Sequence, residues 1–351
     1  MLFLQLMKLK KKSKRILIIV GIIFLAIFGV AYYLILKNNI VFPKNKEKEY
    51  LYIPTGAKFE DVIAILENKK LIKDITAFTL LSKSVGYNNA VLPGRYRLKN
   101  NMNNFELVRL LRSGKQEPVK LIIKGSQSMQ NFLEYVADNL EITLDALNSK
   151  LNDAEYLKQY NLTPETATCL IIPNTYELYW NISLENFMLK MHDAYDKFWT
   201  EKRVQQCKDA GLTRTEVIIL SSIIEKETDK DSDMPIIAGV YINRLAKGMK
   251  LQADPTVLFA MHDNTSKRVY SKMLDYDSPY NTYMYKGLPP GPICIPAIQS
   301  IDAVLNYQQH HFIYFCARND GSGYSDFAEN YDDHRVNAKK YQHYLEDHNI
   351  K

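Results

Sequence analysis

Glu225 closes an apolar run, Val217 to Ile224, and a carboxyl set among isoleucines is pushed towards its neutral, proton-donating form. Thr213-x-x-Glu216 fits a capping box in front of that run, so the segment is expected to be a helix. At 100° per residue, Ile218, Ser221, Ser222 and Glu225 share one face, and two serines one turn before the carboxylate would leave room for a ligand. That pattern suits general acid–base chemistry at Glu225. Periodicity alone keeps a second reading open, a helix-end carboxylate paired with a lysine or arginine. Glu227 lies about 200° round the helix from Glu225 and is expected to be structural or solvated.

Other chemistries find less support. Asp229, Asp231 and Asp233 imitate the start of a calcium loop, but Met234 stands where glycine is required and Val240 where the bidentate glutamate belongs. These acids are expected in a solvated loop before a helix from Pro235 to Leu245. Cys169, Cys207, Cys294 and Cys316 are far apart, with no metal-ligand or CxxC spacing, and read as buried thiols. There is no glycine-rich phosphate loop, so nucleotide binding is not indicated, and with the calcium-loop pattern broken neither metal nor cofactor is expected. The net charge of +6 has much of its excess in Lys8, Lys10, Lys11, Lys12, Lys14 and Arg15, and without that run the chain is near neutral, which does not suggest nucleic acid.

The elements that position these residues begin with an anchor. Residues 16–36 are apolar, Gly or Tyr throughout and, at 1.5 Å per residue, span roughly 30 Å, one hydrocarbon core. The basic tail, residues 1–15, would stay in the cytoplasm and everything after Lys37 would be exported. A cleaved signal peptide is the alternative, but the run exceeds a usual h-region and lacks a small-x-small site. Residues 37–48 read as a short charged spacer. From there a strand (Leu51 to Ile53), a helix (Phe59, Val62, Ile63, Leu66), a second helix (Ala77 to Ser84) and a strand (Gly94 to Leu98) make a small unit. Val119 to Ile123, Gly125 and the helix carrying Met129, Phe132, Leu133 and Val136 resemble a loose repeat of its start, or are simply another strand–helix pair. Residues 140–212 read as mostly helical.

From Glu225 onward the chain resembles the endolytic murein transglycosylase family, the YceG-like enzymes. The likeness rests on Ile224-Glu225-Lys226-Glu227-Thr228, Asn243-Arg244-Leu245, Gly248-Met249-x-Leu251-Gln252-x-Asp254-Pro255-Thr256-Val257, Ser278-Pro279-Tyr280-Asn281-Thr282-Tyr283 and Gly287-Leu288-Pro289-Pro290-Gly291-Pro292-Ile293. Five ordered blocks over about seventy residues are far more specific than one motif. The resemblance implies an α+β architecture: a single transmembrane helix, a LysM-like α/β domain at 49–115 and a larger mixed α+β catalytic domain at 116–351. Two positions depart from the family, with Asn174 in Pro173-Asn174-Thr175-Tyr176 where Asp is usual, and Ser325 in Tyr324-Ser325-Asp326-Phe327 where His is usual.

The implied activity is water-free cleavage of the β-1,4 bond after N-acetylmuramic acid in peptidoglycan, leaving a 1,6-anhydro end. Glu225 would be the catalyst, first as acid and then as base, without a second carboxylate. Ser221, Ser222, Gln252, Asp254, Tyr280, Asn281 and Tyr283 would meet the sugar, Tyr276 and Tyr285 could stack on it, and Gly287 to Pro292 would form one wall of the cleft. The implied setting is the cytoplasmic (inner) membrane with the bulk periplasmic. There it would terminate nascent glycan strands beside peptidoglycan synthases during cell-wall biogenesis and division. A hydrolysing muramidase using Glu225 with Asp254 and a non-catalytic peptidoglycan-binding scaffold are the alternatives.

Overall fold

The computed structural model describes the backbone of residues 2–42, 48–263, 266 and 269–348. The basic side chains of Lys8 to Lys12 and residues 43–47 of the expected spacer lie outside the described residues. The chain divides into two compact units, Met1–Val119 with Glu177–Asn181, and Lys120–Tyr176 with Ile182–Lys351.

The first unit begins with α1 (Leu2–Leu36), of which Lys14–Leu36 is long and apolar enough to cross a membrane. It continues through β1 (Glu49–Ile53), α2 (Phe59–Asn68), α3 (Ile75–Ser84), β2 (Gly94–Leu98) and α4 (Asn104–Ser113). The expected strand–helix–helix–strand order is present, with β1 and β2 antiparallel and Leu51 opposite Tyr96. Alternation explains the pairing: Tyr96 and Leu98 point into the core while Arg95 and Arg97 point away. Asp74 caps α3 by accepting the Ala77 N–H at 3.0 Å, and Asn103 with Glu106 forms a reciprocal capping box on α4. Phe59, Val62, Leu66, Phe78, Leu107 and Leu111 fill the space beneath the strands. The spacer departs from expectation, because Asn39, Ile40 and Phe42 are buried and join this core. The segment 177–181 is also recruited here, where Trp180 meets Tyr52 edge to face at 5.1 Å.

The second unit holds most of β3 (Val119–Ile123), α5 (Met129–Asn139), α6 (Leu144–Leu151), α7 (Ala154–Lys158), the first part of β4 (Asn174–Leu178), α8 (Leu184–Phe198) and α9 (Glu201–Asp209). It continues with α10 (Arg214–Glu227), α11 (Met234–Ala246), α12 (Asp254–Ala260), α13 (Ile298–Leu305), β5 (Tyr314–Ala317), β6 (Ser325–Ala328) and α14 (Tyr331–Asp347). β3 pairs with β4, and β5 with β6 as an antiparallel hairpin. The architecture is therefore mixed α+β. α10 lies at its centre, with α9, α11, α12 and α13 packed around it. Val217 to Ile224 are all buried, as a helix apolar on every face must be. Cys169, Cys207 and Cys294 are buried free thiols and Cys316 is partly buried.

Candidate active site

α10 starts at the predicted capping box. Thr213 Oγ1 accepts the Glu216 N–H at 3.2 Å, and the Glu216 carboxylate accepts the Thr213 N–H at 2.7 Å. The helix delivers its two terminal glutamates to opposite sides, into different neighbours.

Glu225 turns to the start of α13. Its Oε2 accepts the Ala297 N–H at 3.0 Å and the Ser300 hydroxyl, so the carboxylate serves as an external cap on that helix. Ala297 sits in a segment locked against residues 125–127, with Ser126 N–H to Ile295 O at 2.8 Å and Ile295 N–H to Gln127 O at 2.9 Å. Gly125 is required there, since a Cβ would lie 2.6 Å from Ala297 Cα. Lys226 holds the same loop through Ser126 O at 2.8 Å.

Glu227 faces the other way, as expected, but that side is not open solvent. It is the side of α11, where buried Tyr241 donates its hydroxyl to Glu227 Oε1 at 2.6 Å. Loss of water pushes the Glu227 carboxyl up to about 7; the Tyr241 hydrogen bond pulls it down, the Asp254 charge raises it and the Arg244 charge lowers it. Arg244 is itself buried, spent on Ile313 O at 2.7 Å and Leu251 O at 2.6 Å. Burial, then the Glu227 charge, push the Tyr241 phenol far up, so it stays a donor.

Asp254 opens α12 and is exposed, with Oδ1 accepting the Tyr283 hydroxyl at 2.5 Å. Burial, then that hydrogen bond, raise the Tyr283 phenol. The approach to α12 is held by a threonine pair: Thr282 Oγ1 accepts the Ala253 N–H at 2.9 Å and lies 2.9 Å from Thr256 Oγ1. Gln252 is exposed and adopts a left-handed φ of 54°, its N–H given to Thr282 O at 3.1 Å. Glu227, Asp254, Tyr283 and Tyr241 thus form one electrostatically coupled group with Gln252 at its edge. Tyr270, Tyr276 and Tyr285 are exposed.

Three expected sugar contacts are placed elsewhere. Ser221 and Ser222 are fully buried and leave no open face; Ser221 bonds back to Val217 O at 2.6 Å, while Ser222 bonds Ile219 O and receives the Ile293 N–H at 3.0 Å. The small side chain of Ser222 lets the segment after Gly291 pack onto α10. Asn281 is also fully buried, donating to Leu274 O and Tyr276 O and accepting the Tyr283 N–H, so it folds the loop. Tyr280 is half-buried against Phe259, 4.8 Å between centroids, and lines a cavity of about 190 Å³ with Glu165 and Asn148. Gly291 packs so closely that a Cβ would lie 1.9 Å from Glu165 O, which makes this loop a core element as well as a wall.

The departures and the acidic loop are also placed. Asn174 is exposed at the start of β4, in a groove of about 570 Å³ with Lys190, Lys197 and Arg203. Ser325 gives its N–H to Asp233 Oδ2 at 2.7 Å, and Asp233 is buried, contrary to a wholly solvated loop. Among the described residues no group of His, Cys, Asp and Glu is placed to hold a metal ion.

A sequence model of the YceG-like family matches residues 51–340. The chain is 28% identical over 308 residues to the endolytic murein transglycosylase of Bacillus subtilis (strain 168), covering 82% of this chain and 83% of that protein. It is 27% identical over 320 residues to the endolytic murein transglycosylase of Streptococcus pneumoniae serotype 2 (strain D39), covering 82% of this chain but 57% of that longer protein. A crystal structure of a yceG-like protein from Listeria monocytogenes superposes with a TM-score of 0.55 at 31% identity, covering 83% of this chain and 98% of the other. With the family pattern running through most of both units, the chain belongs to the YceG-like family.

Proposed function

We propose that the protein is a membrane-anchored endolytic transglycosylase of peptidoglycan in which Glu227, rather than Glu225, moves the proton. The observation that carries this assignment is the carboxyl of Glu227 itself, desolvated to about 7 and aligned by Tyr241. A group with that pKa is an effective acid and, once ionised, an effective base near neutral pH. Glu225 is committed to the N-terminus of α13 by two donors.

In the reaction, Glu227 protonates the glycosidic oxygen between muramic acid and the following glucosamine, and the C1–O bond breaks with its electrons going to that oxygen. The oxocarbenium-like C1 is then attacked by the muramic acid 6-hydroxyl, whose proton returns to Glu227. The nucleophile belongs to the substrate, so no water is consumed and a 1,6-anhydro end remains. Asp254 and Tyr283 flank the acid, and Gln252 and the exposed tyrosines Tyr276 and Tyr285 offer amide and ring surfaces for sugars. α1 would hold the protein in the cytoplasmic membrane with its N-terminus inside and the bulk outside. The first unit would act as a LysM-like glycan-binding module.

A second reading has one observation behind it: Asp254 is a second carboxylate that feels Glu227, as a hydrolysing muramidase would need. Digestion of purified murein by the full chain in detergent, read by mass spectrometry, separates the two. Anhydro ends, one water lighter than reducing ends, are expected. Reducing ends throughout would establish hydrolysis, and binding without cutting a scaffold. Glu227→Gln should abolish cutting while Glu225→Gln retains it; the reverse pattern would return the role to Glu225.

A further inference from the structure

The end of α1 is fastened to the first unit. Tyr33 donates its hydroxyl to Asp74 Oδ2 at 2.5 Å, and Asn104 donates to the Leu34 carbonyl at 2.9 Å. Buried Asn39 donates to Asn104 Oδ1 at 2.6 Å and to Asp74 O at 2.8 Å, and accepts the Asp74 N–H at 2.8 Å. Ile35 packs against the unit's core. The apolar run ends at Leu36, so this junction falls at the level of lipid headgroups if α1 spans a bilayer.

A recess of about 160 Å³ opens at that level, lined by Tyr33, Lys37, Asn38, Lys73 and Asp74. Both lysines are exposed, and Lys37 Nζ lies 4.2 Å from the Tyr33 ring centroid, held at the mouth. Asp74 is the acid in the lining, and its oxygens are already engaged by the Tyr33 hydroxyl and the Ala77 N–H at the start of α3. Two ammonium groups outweigh the single carboxylate in the lining, so the recess keeps a net positive charge and favours an anion. Exposed apolar side chains lie on the helices that carry its lining. Phe105 follows Asn104, which grips Leu34, and Leu80 lies on α3; both are about half exposed, on the two helices that pack against α1. Cationic groups at the end of an exposed apolar span match a phosphodiester whose acyl chains lie along that span.

We infer that the junction of α1 with the first unit is a binding site for the phosphate headgroup of an anionic phospholipid, held by Lys37 and Lys73 with Phe105 and Leu80 against its chains. The inference rests on α1 crossing the membrane. The site would fix the unit against the outer membrane surface where a spacer would have let it swing.

The test uses the full chain in detergent, titrated with phosphatidylglycerol, phosphatidylcholine or inorganic phosphate and read by native mass spectrometry. Wild type should retain one phosphatidylglycerol, with little phosphatidylcholine. Lys37→Gln/Lys73→Gln should weaken retention at least fivefold, and Lys14→Gln/Arg15→Gln, which removes equal charge at the other end of the span, should leave it unchanged. Equal retention by the Lys37/Lys73 variant, an equal loss in the Lys14/Arg15 variant, or displacement of the lipid by inorganic phosphate would overturn the site. Flotation with vesicles of the same lipids separates this from the anchor itself: a chain that does not float refutes the span, and one that floats but retains no phosphatidylglycerol refutes only the site.

Discussion

A side chain that must donate a proton and then recover it works best with a pKa near the ambient pH. Glu227 meets that requirement by burial, its carboxyl pushed up to about 7. In the proposed mechanism the protonated form starts the reaction, so kcat/KM should fall as pH rises through about 7. The neighbours set where that limb lies. Asp254→Asn removes a charge that raises Glu227 and should move the limb to lower pH, whereas Tyr241→Phe removes a hydrogen bond that lowers it and should move the limb higher. A pH–rate profile of the two variants that shifts in the same direction would refute the coupling. Stability carries the same sign. Because the folded carboxyl lies above its ordinary value of 4.5, its contribution is full below that pH and is lost as pH rises through about 7. Glu227→Gln should therefore melt higher than wild type at alkaline pH, by of order 1–2 kcal/mol after allowance for partial exposure, and the gap should close in acid.

At the scale of elements, the two ends of α10 behave differently. Its start was legible, because Thr213 and Glu216 form a local device that three residues of spacing reveal. Its end was not, because 200° of rotation says where a side chain points and not what stands there. On a helix buried all round, the face away from Glu225 is another interior, and Tyr241, fourteen residues on, has no local spacing that announces it. Ser221 and Ser222 carry the same ambiguity: small residues mark either an opening or a close approach, and at Ser222 the Ile293 backbone fills the gap. Glu225→Gln keeps an acceptor for α13 but loses the charge that favours its N-terminus. It should lower stability by about 0.5–1 kcal/mol, measured by thermal melting, with the murein products unchanged in kind. Gly291→Ala drives a methyl into Glu165 O and should cost more than that.

At the scale of the molecule, the strand–helix–helix–strand order of the first unit followed from alternation and helical spacing, while the burial of Asn39, Ile40 and Phe42 and the return of residues 177–181 to the first unit did not. Both are long-range packing events of short, polar-flanked segments, and nothing in their own pattern reports the partner. Each has a consequence for how the whole chain unfolds. Two units with separate cores are expected to melt in two transitions. Asn39 bridges Asp74 and Asn104, so Asn39→Ala leaves the part-buried Asp74 N–H and the buried Asn104 amide oxygen without their partner, at roughly 1–3 kcal/mol for a buried group. Differential scanning calorimetry should show one transition lowered by several degrees per kcal/mol and the other unmoved. The transition that stays should be the one that Glu225→Gln lowers, because the carboxylate and α13 lie in the second unit. If both substitutions moved the same transition, the two units would not be separate in stability, and the unit that begins with α1 could not be treated as a module of its own.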